Sequence, residues 1–379
     1  MIIGVPKEIK NHERRVGMTP ATAHAYASAG HEVVVETAAG AAIGYRDADY
    51  EAAGARIGRD AAEVWGAAEM IVKVKEPLPE EYGYFRSGLL LYAYLHLAAE
   101  PGLTQALAES GVTAVAYETI QLDSGALPLL SPMSEVAGRM AVQIGASYLE
   151  GHHGGKGLLL GGVPGVAPAR VTIVGGGIVG VNAARIALGM GAEVSILDIN
   201  PERLRQLDDR FHGRVRTLMS DAHTLAGAVR EADLLIGAVL VPGARAPRLV
   251  SEAMVRAMSP GSVIVDVAID QGGSIATIDR ITTHDDPIYI KHDVVHYAVA
   301  NIPGAVARTS TQALANCTTA YGLRLAGGPL REAALADRAL ARGINVLGGR
   351  IVCQAVAEAH GYPHEALETA LARGAGIGA

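Results

Sequence analysis

The segment Val171-Thr-Ile-Val-Gly-Gly-Gly-Ile-Val-Gly180 sets Gly175, Gly177 and Gly180 in the spacing Gly-x-Gly-x-x-Gly. These residues at this spacing can hold a pyrophosphate. The first glycine permits a tight turn, the second lets the backbone approach the anion, and the third lets helix and strand pack closely. The anion then sits at a helix N-terminus, among N–H groups that lack partners inside the helix. The spacing alone decides nothing, since a chain with 46 glycines carries roughly 0.7 such matches by chance. Its context decides more. A β-branched run precedes it, an amphipathic stretch from Ile178 to Leu188 follows, and a second apolar run, Glu193 to Leu197, ends at Asp198. An acid there accepts hydrogen bonds from the adenine ribose hydroxyls and repels a 2′-phosphate, which selects NAD over NADP. Arg203 and Arg205 fall at helical positions and read as solvated face residues.

A second set of side chains, marked out by a family resemblance and not by spacing, lies elsewhere. Lys75, His96 and Asp270 each follow an apolar run that reads as a strand: Met70 to Val74, Leu89 to Tyr94, and Ser262 to Val267. Ligands of open α/β sheets bind beyond the carboxyl ends of strands, so this placement suits a site. Taken singly, each residue also has an ordinary structural role open to it. Arg15 would be a surface cation beside Glu13, and Lys75 a solvated strand-end lysine like its neighbour Lys73. His96 would be a hydrogen-bonded structural histidine, and Asp270, before Gln-Gly-Gly, would set a turn. Ser220, Val239 and Asn301 stand just after further predicted strands and Ser134 could face the nicotinamide side, so these four read equally as cofactor contacts or as ordinary loop residues.

The elements that must position these residues alternate along the chain. Ile2 to Val5, Glu32 to Glu36, Met70 to Val74, Leu89 to Tyr94 and Thr113 to Tyr117 read as strands, separated by helical stretches. A helix from Ser134 to Glu150 follows, with Ser134 as N-cap, then a Gly-rich segment from His152 to Pro168. A second series comprises Arg170 to Val174, Glu193 to Leu197, Val215 to Met219, Leu234 to Ala238, Ser262 to Val267 and Val294 to Ala300. From about Val306 the chain reads as mainly helical. This order predicts an α/β protein of two Rossmann-like domains with parallel sheets, separated by an active-site cleft. Residues 1–130 would form the substrate domain and 131–305 the NAD-binding domain; residues 306–379 could pack on either, and a return to the first is the favoured reading, which makes that domain discontinuous.

Composition narrows the function class. A length of 379 residues exceeds one ordinary core, and 50% apolar with 19% charged residues suits a globular chain. A net charge of −7 argues against nucleic acid as a partner. Cys317 and Cys353 match neither a disulfide framework nor a zinc spacing, and His284, His292 and His296 show no metal spacing, so no metal is expected. Charge at Lys7 and Glu8 precedes any secretory apolar core, and the longest apolar run, Gly88 to Ala99, is too short to span a bilayer. A cytoplasmic protein with no membrane partner is the expectation.

The stretch Gly4-Val-Pro-Lys-Glu-Ile-Lys-Asn-His-Glu-Arg-Arg-Val-Gly-Met-Thr-Pro20 resembles the signature shared by alanine dehydrogenases and the NAD-binding subunit of proton-translocating transhydrogenase. Val171 to Asp198 resembles the second signature of that group. Lys73-Val-Lys-Glu-Pro77, Tyr94-Leu-His-Leu-Ala98, Ser131 to Arg139, Val265 to Gly273 and Ala300-Asn-Ile-Pro-Gly304 are similar to alanine dehydrogenase segments. The resemblance implies reversible NAD-dependent oxidation of L-alanine to pyruvate and ammonium by a hexamer. It implies a substrate site of Arg15, Lys75 and His96, with Asp270 from the nucleotide domain. Arg15 would bind the substrate carboxylate, and Lys75 the carboxylate or the developing carbonyl oxygen. His96 would be the general acid and base, with Asp270 sharing proton transfer or orienting His96 or the ribose. Ile302, Ala307, Gln312 and Cys317 depart from the expected pattern outside this set. A transhydrogenase subunit, a dehydrogenase for a lysine-derived or opine substrate, and a catalytically silent NAD-binding regulator are the other readings.

Overall fold

The computed structural model describes residues 1–239 and 246–373, with the backbone alone at 270 and 271. The chain divides into two compact units, one of Met1–Met133 with Val306–Ala379 and the other of Ser134–Ala305. In chain order the first unit holds β1 (Ile2–Val5), β2 (Glu32–Glu36), β3 (Arg56–Gly58), β4 (Met70–Val72), β5 (Leu90–Ala93) and β6 (Thr113–Ala116). The second holds β7 (Arg170–Val174), β8 (Glu193–Asp198), β9 (Arg216–Met219), β10 (Leu234–Gly237), β11 (Val263–Asp266), β12 (Ile288–Lys291) and β13 (Val294–Tyr297). The chain then returns to the first unit with β14 (Ile344–Leu347) and β15 (Arg350–Ile351).

The first unit is an eight-stranded sheet in the order β15-β14-β6-β5-β4-β1-β2-β3, and the second a seven-stranded sheet in the order β12-β13-β11-β10-β7-β8-β9. Their centres are parallel, as βαβ connections require. Central strands of such sheets are covered on both faces and so read as unbroken apolar runs. In the second unit Ile173, Ile196, Ile236 and Val265 join one core, while their neighbours Val174, Leu197, Leu235 and Ile264 join the core on the other face. In the first, Leu91, Ala93, Ala114 and Ala116 pack with Val34, Trp65 and Ile71.

Each sheet has an antiparallel edge that departs from the all-parallel expectation. β12 pairs with β13 through the two-residue turn His292-Asp293, and β14 pairs with β15 through Gly348-Gly349. All four turn residues have positive φ (56°, 59°, 55° and 83°), the handedness a tight hairpin requires. The C-terminal part is therefore not helical throughout: β14 adds a strand antiparallel to β6. The long helix also starts earlier than expected, at Ser131, so Ser134 lies in its first turn and is not its cap.

Candidate active site

In the first unit, β6, β5, β4 and β1 are neighbours, and the segments after their carboxyl ends carry the reactive side chains. After β1 comes Arg15, only 2% exposed. Glu13 grips it with two prongs: Nε donates to Oε1 at 2.7 Å and Nη2 to Oε2 at 2.5 Å, while Nη1 points at the Met133 sulfur at 3.2 Å. Burial alone would lower the guanidinium pKa, but the hydrogen bonds and charge of Glu13 outweigh it and hold the group cationic. Arg15 is thus an oriented, buried cation and not a surface one.

After β4 come Lys73 and Lys75, which differ sharply. Lys73 is fully buried between Glu81 at 2.9 Å and Glu8 at 3.2 Å, so it is not the solvated residue its position suggests. Glu8 also accepts the backbone N–H groups of Val74 at 2.7 Å and Lys75 at 3.3 Å. That carboxylate fixes the chain where Lys75 leaves the strand. The Lys75 ammonium is left 16% exposed, 3.8 Å from Glu76 Oε2.

After β5, His96 turns into the left-handed region at φ +48°. For a non-glycine residue this is a strained conformation that neighbours must enforce. Glu118, after β6, supplies the restraint: its Oε1 accepts the N–H of His96 at 2.6 Å and that of Leu95 at 3.2 Å. The same oxygen lies 3.9 Å from His96 Nδ1. The ring is parallel to Tyr94 at a centroid distance of 6.0 Å, and Tyr94 donates its hydroxyl to the Leu129 carbonyl. The imidazole is 43% exposed, reachable by a ligand.

In the second unit, the predicted cofactor residues Val239, Gly175, Gly177, Gly180, Asp198 and Ser220 lie at the carboxyl ends of β10, β7, β8 and β9, again neighbours, whereas Asn301 follows β13 and Ser134 lies in the first turn of the helix Ser131–Tyr148. Gly175 has φ +107°, and a Cβ there would press on the Ala238 carbonyl oxygen at 2.7 Å. A Cβ on Gly180 would overlap the Gly175 carbonyl oxygen, so the helix Ile178–Gly189 can lie against the turn only because Gly180 has none. Gly177, the cap of that helix, faces open space. Asp198 Oδ2 accepts the Gly176 N–H at 2.8 Å, and Oδ1 accepts that of Asn200 at 2.9 Å. Arg203 is not a solvated face residue, since its Nε donates to the Gly176 carbonyl at 2.6 Å. Ser220 donates its N–H to the Asp198 carbonyl at 3.0 Å, and half-buried Val239 follows Ala238, whose N–H bonds the Val174 carbonyl at 2.8 Å. Asn301 has φ +61°, and its carbonyl accepts the Gly304 N–H at 2.8 Å.

Asp270 falls in the short helical turn Val267–Gln271 after β11, and its side chain lies outside the described residues. The turn itself is held by Asp266, a buried carboxylate that sequence reasoning passed over. Its Oδ1 accepts the Ala268 N–H at 3.0 Å and the Ser274 hydroxyl at 3.1 Å, and its Oδ2 the Ser274 N–H at 2.7 Å. Glu8, Glu13, Glu76 and Glu118 were likewise not singled out. Glu8, Glu13 and Glu76 lie inside the signature stretches and Glu118 lies outside them; only the fold brings Glu8 to Lys73 and Glu118 to His96, whereas Glu13 and Glu76 already neighbour Arg15 and Lys75 in sequence. Among the described residues, Glu150, His152 and His153 could share a cation, but they sit on the surface away from these strand ends.

The chain matches two family models, "Alanine dehydrogenase/PNT, N-terminal domain" over residues 4–137 and "Alanine dehydrogenase/PNT, C-terminal domain" over residues 141–354. It belongs to the alanine dehydrogenase/PNT family. The alanine dehydrogenase of Methanococcus maripaludis is 60% identical over 371 residues, covering 98% of this chain and all of that one. Among solved structures, an L-alanine dehydrogenase superposes with a TM-score of 0.92 at 53% identity, over 95% of this chain and 99% of that one. A transhydrogenase from Sinorhizobium meliloti reaches 0.81 at 26% identity, over 93% and 100%. The two-domain α/β architecture is that of the alanine dehydrogenase/PNT family, and identity within it is twice as high on the alanine dehydrogenase side.

Proposed function

We propose that this chain catalyses the reversible NAD-dependent oxidative deamination of L-alanine to pyruvate and ammonium, as an NAD-dependent amino-acid dehydrogenase. The observation that carries this reading is the 60% identity to an alanine dehydrogenase over nearly the entire chain. The gathering of Arg15, Lys75 and His96 at neighbouring strand ends supports it. The transhydrogenase reading is weaker, with 26% identity to its structural representative. The first unit is read as the substrate domain and the second as the NAD domain.

The glycine turn fits a dinucleotide. The open space at Gly177 admits a pyrophosphate to the helix N-terminus. Asp198, already anchored to that turn, offers its carboxylate where a ribose would lie. Ser134, Ser220, Val239 and Asn301 are read as further cofactor contacts. NAD, when bound, accepts the hydride from the alanine Cα. The protein's own residues do the rest. Arg15, the buried cation oriented by Glu13, is read as the group that meets the substrate carboxylate. Lys75 donates to the carboxylate or to the oxygen on which negative charge develops. His96 takes a proton from the water that adds to the imine carbon and returns one as ammonium leaves. Asp270 shares that transfer or orients its partners.

Three expected outcomes follow for the cofactor site. Gly177→Ala should fold normally, since its Cβ meets nothing, yet lose most NADH binding in a fluorescence titration because the methyl intrudes on the pyrophosphate. Gly180→Ala should fail to form a stable second unit, seen as lost cooperative melting. If both variants bind NADH like the parent, the cofactor is not on this turn. Replacing Asp198 by Asn keeps an oxygen for a backbone N–H but removes the charge. The ratio of kcat/KM for NADP⁺ over NAD⁺ should then rise by about tenfold or more, as expected when a repulsion of order 1–2 kcal/mol is lifted. An unchanged ratio would contradict the assigned role.

Assembly as a hexamer and residence in the cytoplasm complete the reading. Exposed Leu159, Val163 and Val166 lie within eight residues of one another and favour self-association. No helix among the described residues is long and apolar enough to cross a membrane. Sedimentation and cell fractionation test these two points. For the reaction, reductive amination with NADH and ammonium should favour pyruvate over glyoxylate, hydroxypyruvate and bulkier 2-oxo acids. Preference for a bulkier acid would move the assignment to an opine or lysine-type enzyme.

A further inference from the structure

Glu76 carries an anomaly. Its carboxylate is 5% exposed, and its Oε2 is buried with no hydrogen-bond partner. A buried acceptor left without a donor is disfavoured, and more so when charged. The other oxygen, Oε1, accepts from Lys10 Nζ, an ammonium 40% exposed on the loop after β1. Burial would raise the Glu76 carboxyl, but the charge of Lys75 and the bond and charge of Lys10 outweigh it, so it stays ionised. The unpartnered oxygen looks at the Lys75 ammonium across 3.8 Å, beyond hydrogen-bond range but within ion-pair range. Among the described residues, Glu76 is the one carboxylate at ion-pair distance from Lys75.

We infer that Glu76 is a positioning residue for Lys75: its buried Oε2 takes one of the three ammonium hydrogens and so aims the others at the substrate. The inference rests on the reading of Lys75 as a substrate-binding group. Geometry gives the division of labour. Burial holds the carboxylate in place, and Lys10 occupies Oε1, which leaves Oε2 to serve Lys75. An ammonium has three donors and rotates freely about its stem, so a fixed acceptor on one side is what gives it direction. A substrate oxygen drawing Lys75 by a few tenths of an ångström brings the pair into bonding range. Satisfaction of the orphan oxygen is then coupled to substrate binding.

Two variants separate this role from a merely structural one. In Glu76→Gln, Lys10 retains the remaining carbonyl oxygen, so the amide NH₂ faces Lys75, donor against donor. Lys10→Met removes the bridge between the two loops but leaves the carboxylate. Steady-state kinetics in the reductive direction are the readout, with NADH and pyruvate varied separately. Glu76→Gln should lower kcat/KM for pyruvate by about 10- to 100-fold, the worth of one charge-assisted hydrogen bond, with the KM for NADH within about twofold of the parent. Lys10→Met should keep kcat/KM for pyruvate within about threefold. Equal losses in both variants, or an unchanged pyruvate term in Glu76→Gln, would overturn the inference. Should Glu76→Gln not fold, Glu76→Asp carries the same test, since a carboxylate one methylene shorter cannot reach both lysines. Lys75→Ala serves as the control: if it leaves the pyruvate term unchanged, the reading of Lys75 itself has failed.

Discussion

Replacing His96 by Asn is expected to lower kcat by about 10² to 10⁴, the usual worth of a positioned general acid and base, while NADH affinity stays at the parental value. Asn is the informative substitution because it tolerates the left-handed backbone that His96 adopts at φ +48°. It can still receive the backbone restraint from Glu118, which acts through the N–H of residue 96 and not through its ring. The fold around the strand end should therefore survive, and the loss should report on the imidazole alone. The measurement is a single-turnover and steady-state comparison in both directions, beside a titration of NADH fluorescence. A variant within threefold of the parent would remove His96 from the proton-transfer role and direct attention to Asp270.

The second large effect is on stability. Lys73 is buried with two carboxylates, Glu8 and Glu81, and together they raise its pKa against the lowering effect of burial. Lys73→Met fills the same space without charge and leaves two buried carboxylates facing each other. Breaking a buried ionic group in this way costs roughly 3–5 kcal/mol at neutral pH. The pH dependence has a definite sign. Burial already pushes the Glu8 carboxyl up even beside Lys73, and without that cation it would rise further. An acid whose folded pKa exceeds its unfolded value destabilises at pH above the unfolded value and stops doing so below it. The deficit of Lys73→Met should thus be largest at pH 7 and shrink as the pH falls toward the ordinary carboxylate range. Urea unfolding at pH 7 and pH 5 checks this. A deficit that is small at pH 7, or constant with pH, would show that the triad is not held as charges.

Much of the layout was legible from the sequence because parallel strands and phosphate turns have local signatures. The β7 run, the glycine spacing and the acid ending β8 follow one another directly, so the turn that Asp198 and Gly176 share could be anticipated from order alone. The antiparallel edges could not. β12 and β13 meet at His292-Asp293, residues that carry no strong turn signal. Gly348-Gly349 stands between two apolar runs, but the helical composition around it concealed the strands. β3 has three residues, one of them glycine, too few to show a period. The acidic shell was invisible for another reason. Glu8 reaches Lys73 and Val74, and Glu118 reaches His96, across tens of residues, and no local pattern encodes which lysine a fold will bury. Lys73 and Lys75 are two residues apart on one strand end, yet one is fully buried between carboxylates and the other is left partly exposed.

The most direct test of the account is absorbance at the NADH band after mixing purified protein with NAD⁺ and L-alanine at mildly alkaline pH, with NADP⁺, glycine, L-serine and L-lysine in parallel. The account predicts rapid NADH formation with NAD⁺ and L-alanine, much slower formation with the other amino acids, and little with NADP⁺. Protein that binds NADH in a fluorescence titration but forms none from any of these amino acids would contradict it.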